Sequence, residues 1–348
     1  MLIVFAKFER DIIQQRTETG LDAARKRGLI GGRLAIDGKR KGVHALFEVV
    51  ESATDIAKEY NIVRATVYKI INEKRIKVRK MQQSNLTNIY SKKYIESMLK
   101  KYDYYKDLRA VNENVEELLE SYEIMKKHYR NEYFYKNTLF NKLVLGKHNL
   151  NTTYAMNEVI VNKSKADMII VNKNSPIVYE IKTELDNFGK LEHQIIDYYK
   201  IASLVYVVTA ENTYYPLYRI LKDTKVGIYV LTNRNTLSLK KKAEEDEKFL
   251  NHKVLFKLLR KSEYERIVMG YFGYLPNVKA FEYYTECLKL FMQIEILEAQ
   301  KLVFNEIWER EEEFVKKTMQ IIPYELRWLI YSSKFNTTGY KKILDIFN

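Results

Sequence analysis

Short apolar runs and longer amphipathic stretches alternate along the chain and divide it into helical ends and a mixed middle. Residues 154–232 contain five short runs rich in β-branched and aromatic residues, namely AMNEVIV, ADMIIV, IVYEIK, LVYVVT and GIYVLT. Turns or helix-length gaps separate them, which is typical of a mixed sheet flanked by helices. Elsewhere, as in VEELLESYEIMKKHY and FMQIEILEAQKLVF, apolar residues recur at helical spacing. The pattern predicts an α-rich α/β multidomain protein.

The first forty residues have a helical pattern followed by a flexible, basic one. FAKFERDIIQQRTETGLDAARKR, residues 5–27, has Gly20 as its single breaker and predicts a long helix. LIGGRLAIDGKRKG follows and is rich in glycine and cations. It is either a linker or an extended arm that lays Arg33 in a narrow minor groove of DNA.

Three short helices are predicted from Val43 to Asn72, and the stretch TDIAKEYNIVRATVYKII contains two of them with a turn between. Ile56 and Ala57 are expected to face inward, and Val67 and Ile70 to anchor the second helix. Asn61 falls at the turn, where its side chain tolerates left-handed backbone. The pattern favours a helix-turn-helix over an ordinary helical hairpin. Four residues are left on the outer face for DNA: Arg64, Thr66, Tyr68 and Lys69.

Charge and cysteine content narrow the classes of partner and site. The formal net charge is +14, and residues 1–80 hold 18 lysines and arginines against 10 acidic residues, a net +8. This asymmetry favours a nucleic-acid-binding end, although a basic protein without a polyanionic partner is the alternative. Cys287 is the single cysteine, which excludes a disulfide framework, a CxxC zinc pair and an iron–sulfur cluster within one chain. No signal peptide or long apolar run is apparent, so we expect a cytoplasmic protein without a membrane partner.

Residues 5–72 resemble the end of a serine recombinase of the resolvase/invertase type. FERDIIQQRTETGLDAARKRG is similar to the long helix that such proteins use for dimerisation and DNA contact. GGR is similar to their minor-groove arm, and the remainder to their helix-turn-helix. The catalytic domain with its nucleophilic serine is missing from the resemblance. It therefore implies DNA binding and a homodimer, without recombination.

The candidate chemistry lies in IVYEIKTELDNFGKLEHQIIDYYK, residues 177–200. Glu180 and Lys182 are two apart, so strand alternation points both to one face of the sheet. Asp167 opens the run DMIIV, and Glu158 comes nine residues before it. Two or three carboxylates at one end of a sheet form an oxygen site suited to Mg²⁺.

These residue types match the needs of phosphodiester hydrolysis. The reaction requires a deprotonated water and cations against the charge that builds on phosphorus. Asp167 and Glu180 would ligate the metal, with Glu158 as an optional third ligand. Lys182 would position or activate the water, or offset phosphate charge.

The same constellation resembles the restriction-endonuclease-like PD-(D/E)XK superfamily. Ala166 and Asp167 stand for PD, and EIK at 180–182 stands for ExK; the missing proline contributes no ligand. QIIDY is similar to the QxxxY element of its RecB-like branch, in which Gln194 and Tyr198 share one helix face and could contact the substrate backbone. Over roughly residues 130–235 the chain also resembles an uncharacterised bacterial family placed in that superfamily. The resemblance implies a nuclease that uses Mg²⁺, with Mn²⁺ as a substitute.

The predicted division of the chain has five parts. They are a long helix and basic arm over 1–40, a helix-turn-helix DNA-binding domain over 41–80, a helical region over 81–145, a nuclease-like domain over 146–235 and a helical C-terminal region over 236–348.

Several alternatives stay open at this point. The nuclease-like fold could be an inactive DNA-binding or regulatory module, and the first eighty residues could be a passenger from gene fusion. The many tyrosines of residues 81–145 favour packing over a platform for single-stranded bases. His148 and His193 are expected on the surface. The C-terminal helices are expected to pack on the core or to self-associate.

Overall fold

The structure is a computed structural model that describes residues 52–70, 88–105, 108–128, 130–173, 175–310 and 313–347. The chain forms two compact units, Met1–Lys80 and Met81–Asn348. The predicted long first helix and the basic arm with Arg33 lie outside the described residues.

In the first unit, two short helices surround a small apolar core. Helix α1 spans Ala53–Glu59, and the Ser52 side chain accepts a hydrogen bond from the Asp55 amide at its start. Helix α2 occupies residues 64–70. Asn61 has a φ of 47° between them, which is the left-handed turn conformation expected from the sequence. Of the four residues expected to face inward, Ile56, Val67 and Ile70 are buried and Ala57 is partly buried against them. Ala53 is buried as well, and Ile62 packs against the same cluster.

The second unit begins with helices in the region where the sequence predicts them. Their bounds are Lys92–Tyr105 (α3), Leu108–His128 (α4) and Glu132–Leu139 (α5), continued by a π-helical segment at Phe140–Lys147. The Asn131 side chain caps α5 by accepting a hydrogen bond from the Phe134 amide at 3.1 Å.

A six-stranded mixed sheet forms the centre of this unit and confirms the predicted fold class. The strands are Thr153–Val161 (β1), Ser164–Asn172 (β2), Ser175–Lys182 (β3), Leu204–Ala210 (β4), Gly227–Leu231 (β5) and Leu237–Lys241 (β6), in spatial order 1-2-3-4-5-6. Strands β1 to β3 pair antiparallel, β3 to β5 pair parallel, and β6 pairs antiparallel with β5. Each of the five apolar runs coincides with one of the strands β1 to β5. The sixth strand, LSLKK, has too few apolar residues for the pattern to reveal it.

Helices cover both faces of the sheet. On one face, Tyr179 and Ile181 pack into a core with α3 to α5 and the last helices of the chain. On the other, Val178 and Val207 pack with the remaining helices. These are Leu191–Tyr198 (α6), Tyr214–Leu221 (α7), His252–Phe256 (α8), Lys261–Phe272 (α9), Ala280–Phe291 (α10) and Ile296–Trp308 (α11). The last helices are Glu313–Ile321 (α12), Arg327–Ser333 (α13) and Thr337–Phe347 (α14).

The C-terminal region therefore packs on the core, which is one of the two outcomes expected from its amphipathic pattern. It divides between α11 and α12, because α8 to α11 belong to one core and α12 to α14 to the other. Among the described helices, none is long and apolar enough to cross a membrane.

Candidate active site

Three predicted carboxylates occupy one row across three neighbouring strands. Met168 pairs with Tyr179, so the next residues along the same antiparallel register, Asp167 and Glu180, lie opposite each other. The pairs on either side of Glu158 place it opposite Asp167 in the same way. Directly opposed residues on paired strands have Cβ atoms about 5 Å apart. The sheet thus places the backbone positions of these three residues side by side on β1, β2 and β3.

Glu180 is the centre of a polar network beneath α6. The residue is 2% exposed. Its Oε1 accepts hydrogen bonds from Lys182 Nζ and from Gln194 Nε2, both at 2.7 Å. Its Oε2 accepts one from the Tyr198 hydroxyl at 2.5 Å. Lys182 Nζ also donates to Gln194 Oε1 at 3.0 Å, which closes the network. The sequence predicts that Gln194 and Tyr198 contact the substrate backbone. In the structure, the side-chain amide of Gln194 and the hydroxyl of Tyr198 donate hydrogen bonds to Glu180.

Tyr198 acts as a hydrogen-bond donor in this network. Burial, followed by the nearby charge of Glu180, raises the pKa of Tyr198 far above its ordinary value. The hydroxyl therefore stays protonated and can donate a hydrogen bond to Glu180 or to the Lys165 carbonyl oxygen at 2.9 Å. Full burial of the ring fixes the distance between α6 and β3.

Asp167 faces Glu180 with less support of its own. Its Oδ2 accepts a hydrogen bond from the Ile181 amide at 2.7 Å. Burial, followed by the negative charge of Glu180, raises the pKa of Asp167 to about 7. Two buried carboxylates that face each other repel when both are ionised, and a bound cation relieves that repulsion.

Glu158 is directed away from this pair, although it shares their row. Its φ of 52° lies in the left-handed region, which is uncommon for a residue with a Cβ. Its carboxylate accepts from Lys165 Nζ at 2.7 Å and Lys136 Nζ at 3.2 Å. The Lys165 hydrogen bond is the main cause of its lowered pKa. It lines a separate cavity of about 350 Å³ with Glu132, whereas Asp167 and Glu180 do not. The structure does not bring Glu158 together with the other two carboxylates.

An open cavity of about 790 Å³ gives access to Asp167, Glu180, Lys182 and Gln194. Four further lysines line it: Lys163, Lys165, Lys190 and Lys200. His193 lies exposed on the α6 face beside it, as expected for a surface histidine. Glu132, Asp186 and Asp197 line it as well, so five lysines balance five carboxylates. A cation bound by the Asp167–Glu180 pair would leave the lysines in excess, which suits a polyanionic substrate.

The carboxylate oxygens of Asp167 and Glu180 suit a Mg²⁺ ion that also binds substrate. Among the described residues, Asp167 accepts one hydrogen bond and Glu180 accepts three. A carboxylate has about four acceptor positions, so both retain room for a cation. Across the described part of the chain, no group of three or more acidic, histidine or cysteine side chains is placed to hold a metal. Mg²⁺ commonly binds through one or two carboxylates plus water and substrate phosphate, so a pair is sufficient.

The sequence pattern did not identify Asp197, which organises the wall of the same cavity. Asp197 accepts hydrogen bonds from Asn162 Nδ2 at 2.6 Å, Ser164 Oγ at 2.8 Å and Lys200 Nζ at 2.6 Å, and from the Lys163 amide at 3.3 Å. It thereby ties α6 to the β1–β2 turn, which carries Lys163, and to the start of β2, which carries Lys165. Burial alone would raise the pKa of Asp197, but the hydrogen bonds and the charge of Lys200 lower it to about 2. Its position one residue before Tyr198 is a signal in the sequence, whereas its partners Asn162 and Ser164 lie more than thirty residues away and no local pattern reveals them.

Glu132 is a second residue that the sequence pattern did not identify. It lines the cavity from the start of α5, and its charge contributes to the raised pKa of Asp167. Its carboxylate pairs with Lys136 Nζ at 2.6 Å.

In the first unit, the residues predicted to read DNA lie mostly on the surface. Arg64, Tyr68 and Lys69 are exposed, and Thr66 is half-buried. Arg64 Nη2 donates to the Tyr68 hydroxyl at 3.3 Å, and the guanidinium lies over the Tyr68 ring. The predicted contact of Arg33 falls outside the described residues.

Two curated relatives resemble a short part of the chain and support the predicted resolvase-like region. A resolvase from Clostridium perfringens is 38% identical over 73 residues, which are 21% of this chain and 39% of the relative. The R46 site-specific recombinase from Escherichia coli is 39% identical over 82 residues, 23% of this chain and 43% of the relative. The chain spans about two fifths of the length of these relatives.

No solved structure matches the chain significantly. The family model described as Bacteriophage P4 protein cII matches residues 125–329, more than half of the chain. That span includes all six strands and both sides of the candidate site. The chain belongs to the Bacteriophage P4 protein cII family.

Proposed function

We propose that the chain is a DNA-binding protein whose second unit hydrolyses phosphodiester bonds with Mg²⁺, and that it acts in the cytoplasm. The observation that carries the proposal is the Glu180 network with Lys182 and Gln194, facing Asp167 at the wall of an open, lysine-lined cavity. An ordinary structural ion pair needs neither an opposed second carboxylate nor access from solvent. The resemblance to the PD-(D/E)XK superfamily at these residues supports the same reaction.

Each residue has a role that its contacts allow. Asp167 and Glu180 would hold Mg²⁺, which when bound supplies positive charge to phosphate oxygens and makes a bound water more acidic. Gln194 and Tyr198 orient Glu180 through their hydrogen bonds. The ammonium group of Lys182 lies beside the carboxylate and offsets charge that develops on the phosphate.

The resolvase-like region supports the DNA-binding part of the proposal. The relatives are named as a resolvase and a site-specific recombinase, and both names describe proteins that act on DNA. We assign DNA contact to Arg64, Thr66, Tyr68 and Lys69 in the first unit, with Arg33 in the minor groove. Pairing of two chains through the resolvase-like region would suit a palindromic site.

Plasmid cleavage tests the site directly. Wild type, Glu180→Gln and the control Glu184→Gln are incubated with supercoiled plasmid and with single-stranded DNA, in Mg²⁺, Mn²⁺ or EDTA. Glu184 is an exposed carboxylate four residues along the chain. We expect metal-dependent cleavage that Glu180→Gln lowers at least about hundredfold and Glu184→Gln leaves unchanged. Equal cleavage by wild type and Glu180→Gln would reject the site.

A second candidate is a DNA-binding or regulatory protein with an inactive nuclease-like unit. It is favoured by the three donors that already occupy Glu180 and by the presence of two, not three, carboxylates in the described site. It predicts sequence-preferring DNA binding, no cleavage in any metal, and no Mg²⁺ binding by calorimetry. Cleavage by wild type would reject this second candidate.

A further inference from the structure

A second groove lies on the other side of α6 from the candidate active site. Its volume is about 540 Å³. The walls are formed by α6, by α7, by the chain just before β5 and by the chain that follows β6. Its lining is mainly apolar, with Ile195, Ile196, Tyr199, Ile220, Leu221, Val226 and Phe249. Three of these are unusually exposed for their size, with Ile196 at 40%, Ile220 at 50% and Phe249 at 46%. Large exposed apolar side chains gathered in one groove indicate a binding surface.

Helix α6 is the ridge between this groove and the active-site cavity. Gln194 and Asp197 line the cavity, whereas Ile195 and Tyr199 line the groove. Ile196 lines both. A helix with its side chains is about 10 Å across, so one extended ligand can occupy both depressions. The groove therefore adjoins the proposed catalytic site, and Ile196 lies between the two.

The groove also contains a polar group without a partner. Tyr199 is 5% exposed, and among the described residues its hydroxyl makes no hydrogen bond. A buried hydroxyl left unpaired is unfavourable. The ring of Tyr199 lies 6.3 Å from the ring of Phe249, centroid to centroid, so the two rings form part of an apolar wall.

The charge at the edge of the groove selects against phosphate. Glu192, Asp223 and Asp246 line it, and Lys225 is the one cation among its lining residues. Lys225 Nζ lies 3.7 Å from an Asp246 carboxylate oxygen, which offsets that lysine. The cavity on the other side of α6 is lined by five lysines and five acidic residues, and two of the acidic residues are the proposed metal ligands Asp167 and Glu180. Positive charge is therefore balanced in the cavity and outnumbered three to one in the groove, so a polynucleotide would place its backbone in the cavity and a neutral group in the groove.

We propose that the groove receives an unpaired nucleobase of a single-stranded DNA whose backbone lies in the active-site cavity. The proposal rests on the proposed nuclease function and names its substrate class. A base has apolar faces that can pack on the exposed side chains of Ile220 and Phe249. In a duplex the bases are paired and stacked, so none can cross the α6 ridge without leaving the helix.

The test measures binding, separately from cleavage. Fluorescence anisotropy of labelled single-stranded oligonucleotides is recorded with the full chain in EDTA, for an intact oligonucleotide and for a series with one abasic site moved along it. We expect an abasic site at one position to weaken wild-type binding about tenfold. Ile220→Ser should weaken binding of the intact oligonucleotide by the same factor and lose the sensitivity to that abasic site, because the two changes remove one contact.

Ile124→Ser is the matched control, since Ile124 is an exposed isoleucine on α4, 48% exposed and outside the groove. It should bind every oligonucleotide as wild type does, and thermal melting should show all three proteins folded. Equal wild-type affinity for intact and all abasic oligonucleotides would overturn the proposal. An unchanged abasic effect in Ile220→Ser would overturn it as well. Cleavage without the abasic effect rejects the groove alone, and the abasic effect without cleavage in Mg²⁺ rejects the nuclease alone.

Discussion

Two buried carboxylates, Asp197 on α6 and Glu180 on β3 beneath it, have surroundings that separate a structural role from a catalytic one. Asp197 accepts four hydrogen bonds, including one from Lys200, and its pKa is lowered to about 2. Glu180 also has a lysine and two further donors, but it faces the half-buried carboxylate of Asp167, whose pKa is raised to about 7.

The difference teaches what each group does for the fold. The surroundings of Asp197 stabilise its charge, so ionisation favours folding. The surroundings of Asp167 disfavour its charge, so the folded chain holds an electrostatic cost at this point. Carboxylates whose ionisation is disfavoured in this way are concentrated at sites that bind a cation or catalyse a reaction. The comparison therefore predicts opposite effects of neutralising the two aspartates.

The largest expected effect follows from Asp167→Asn. The amide oxygen can still accept from the Ile181 amide, while the repulsion with Glu180 disappears. We expect cleavage to fall at least about hundredfold, with the free energy of unfolding unchanged or raised by about 1 kcal/mol. Plasmid cleavage and urea denaturation measure the two quantities. A large loss of stability would show that Asp167 supports the fold in the same way as Asp197.

Asp197→Asn should have the opposite profile. An amide replaces an acceptor of four hydrogen bonds and loses the pair with Lys200, so we expect unfolding to become about 2–3 kcal/mol easier. Asp223→Asn is the control, because that carboxylate is 86% exposed and should change stability by less than about 0.5 kcal/mol. Urea denaturation at pH 7 provides the measurement. Equal stabilities of the two variants would remove Asp197 as the link between α6 and the turn.

The pH dependence sharpens the same contrast. The folded pKa of Asp197 lies below the unfolded value of about 4, so its stabilising contribution is present above pH 4 and is lost as pH falls towards 2. A shift of this size corresponds to about 2 kcal/mol. The difference in unfolding free energy between wild type and Asp197→Asn should therefore shrink by about that amount between pH 5 and pH 2. A constant difference would mean that the charge of Asp197 contributes nothing.

Much of this site follows from strand alternation and register. The spacing of Glu180 and Lys182 places both on the face opposite Ile181, and the structure has them there. The left-handed turn at Asn61 follows from residue chemistry in the same local way. Local patterns suffice where the determining contacts are near in sequence.

Other features depend on contacts that no local pattern encodes. The hydrogen bond from Asn162 to Asp197 joins residues about 35 apart in the chain. Helix α13 packs on α5 across nearly two hundred residues, where the Trp328 amide donates to Asn137 Oδ1. A left-handed glutamate is rare enough that the sequence gives no reason to expect one at 158. The carboxylate of this residue pairs with Lys136 and Lys165 and lines the second cavity.

Glu158→Gln is expected to have the smallest effect and tests that last distinction. Its carboxylate is 44% exposed and pairs with Lys136 and Lys165, and Lys136 retains its pair with Glu132 after the change. We expect cleavage within about threefold of wild type and a loss of stability below about 1 kcal/mol, as for an exposed ion pair. Cleavage assays in Mg²⁺ alongside Asp167→Asn provide the comparison. A loss as large as that of Asp167→Asn would mean that Glu158 returns to the row as a third ligand when metal and substrate bind, because neither its distance from the pair nor its lysine partners would otherwise let it affect the reaction.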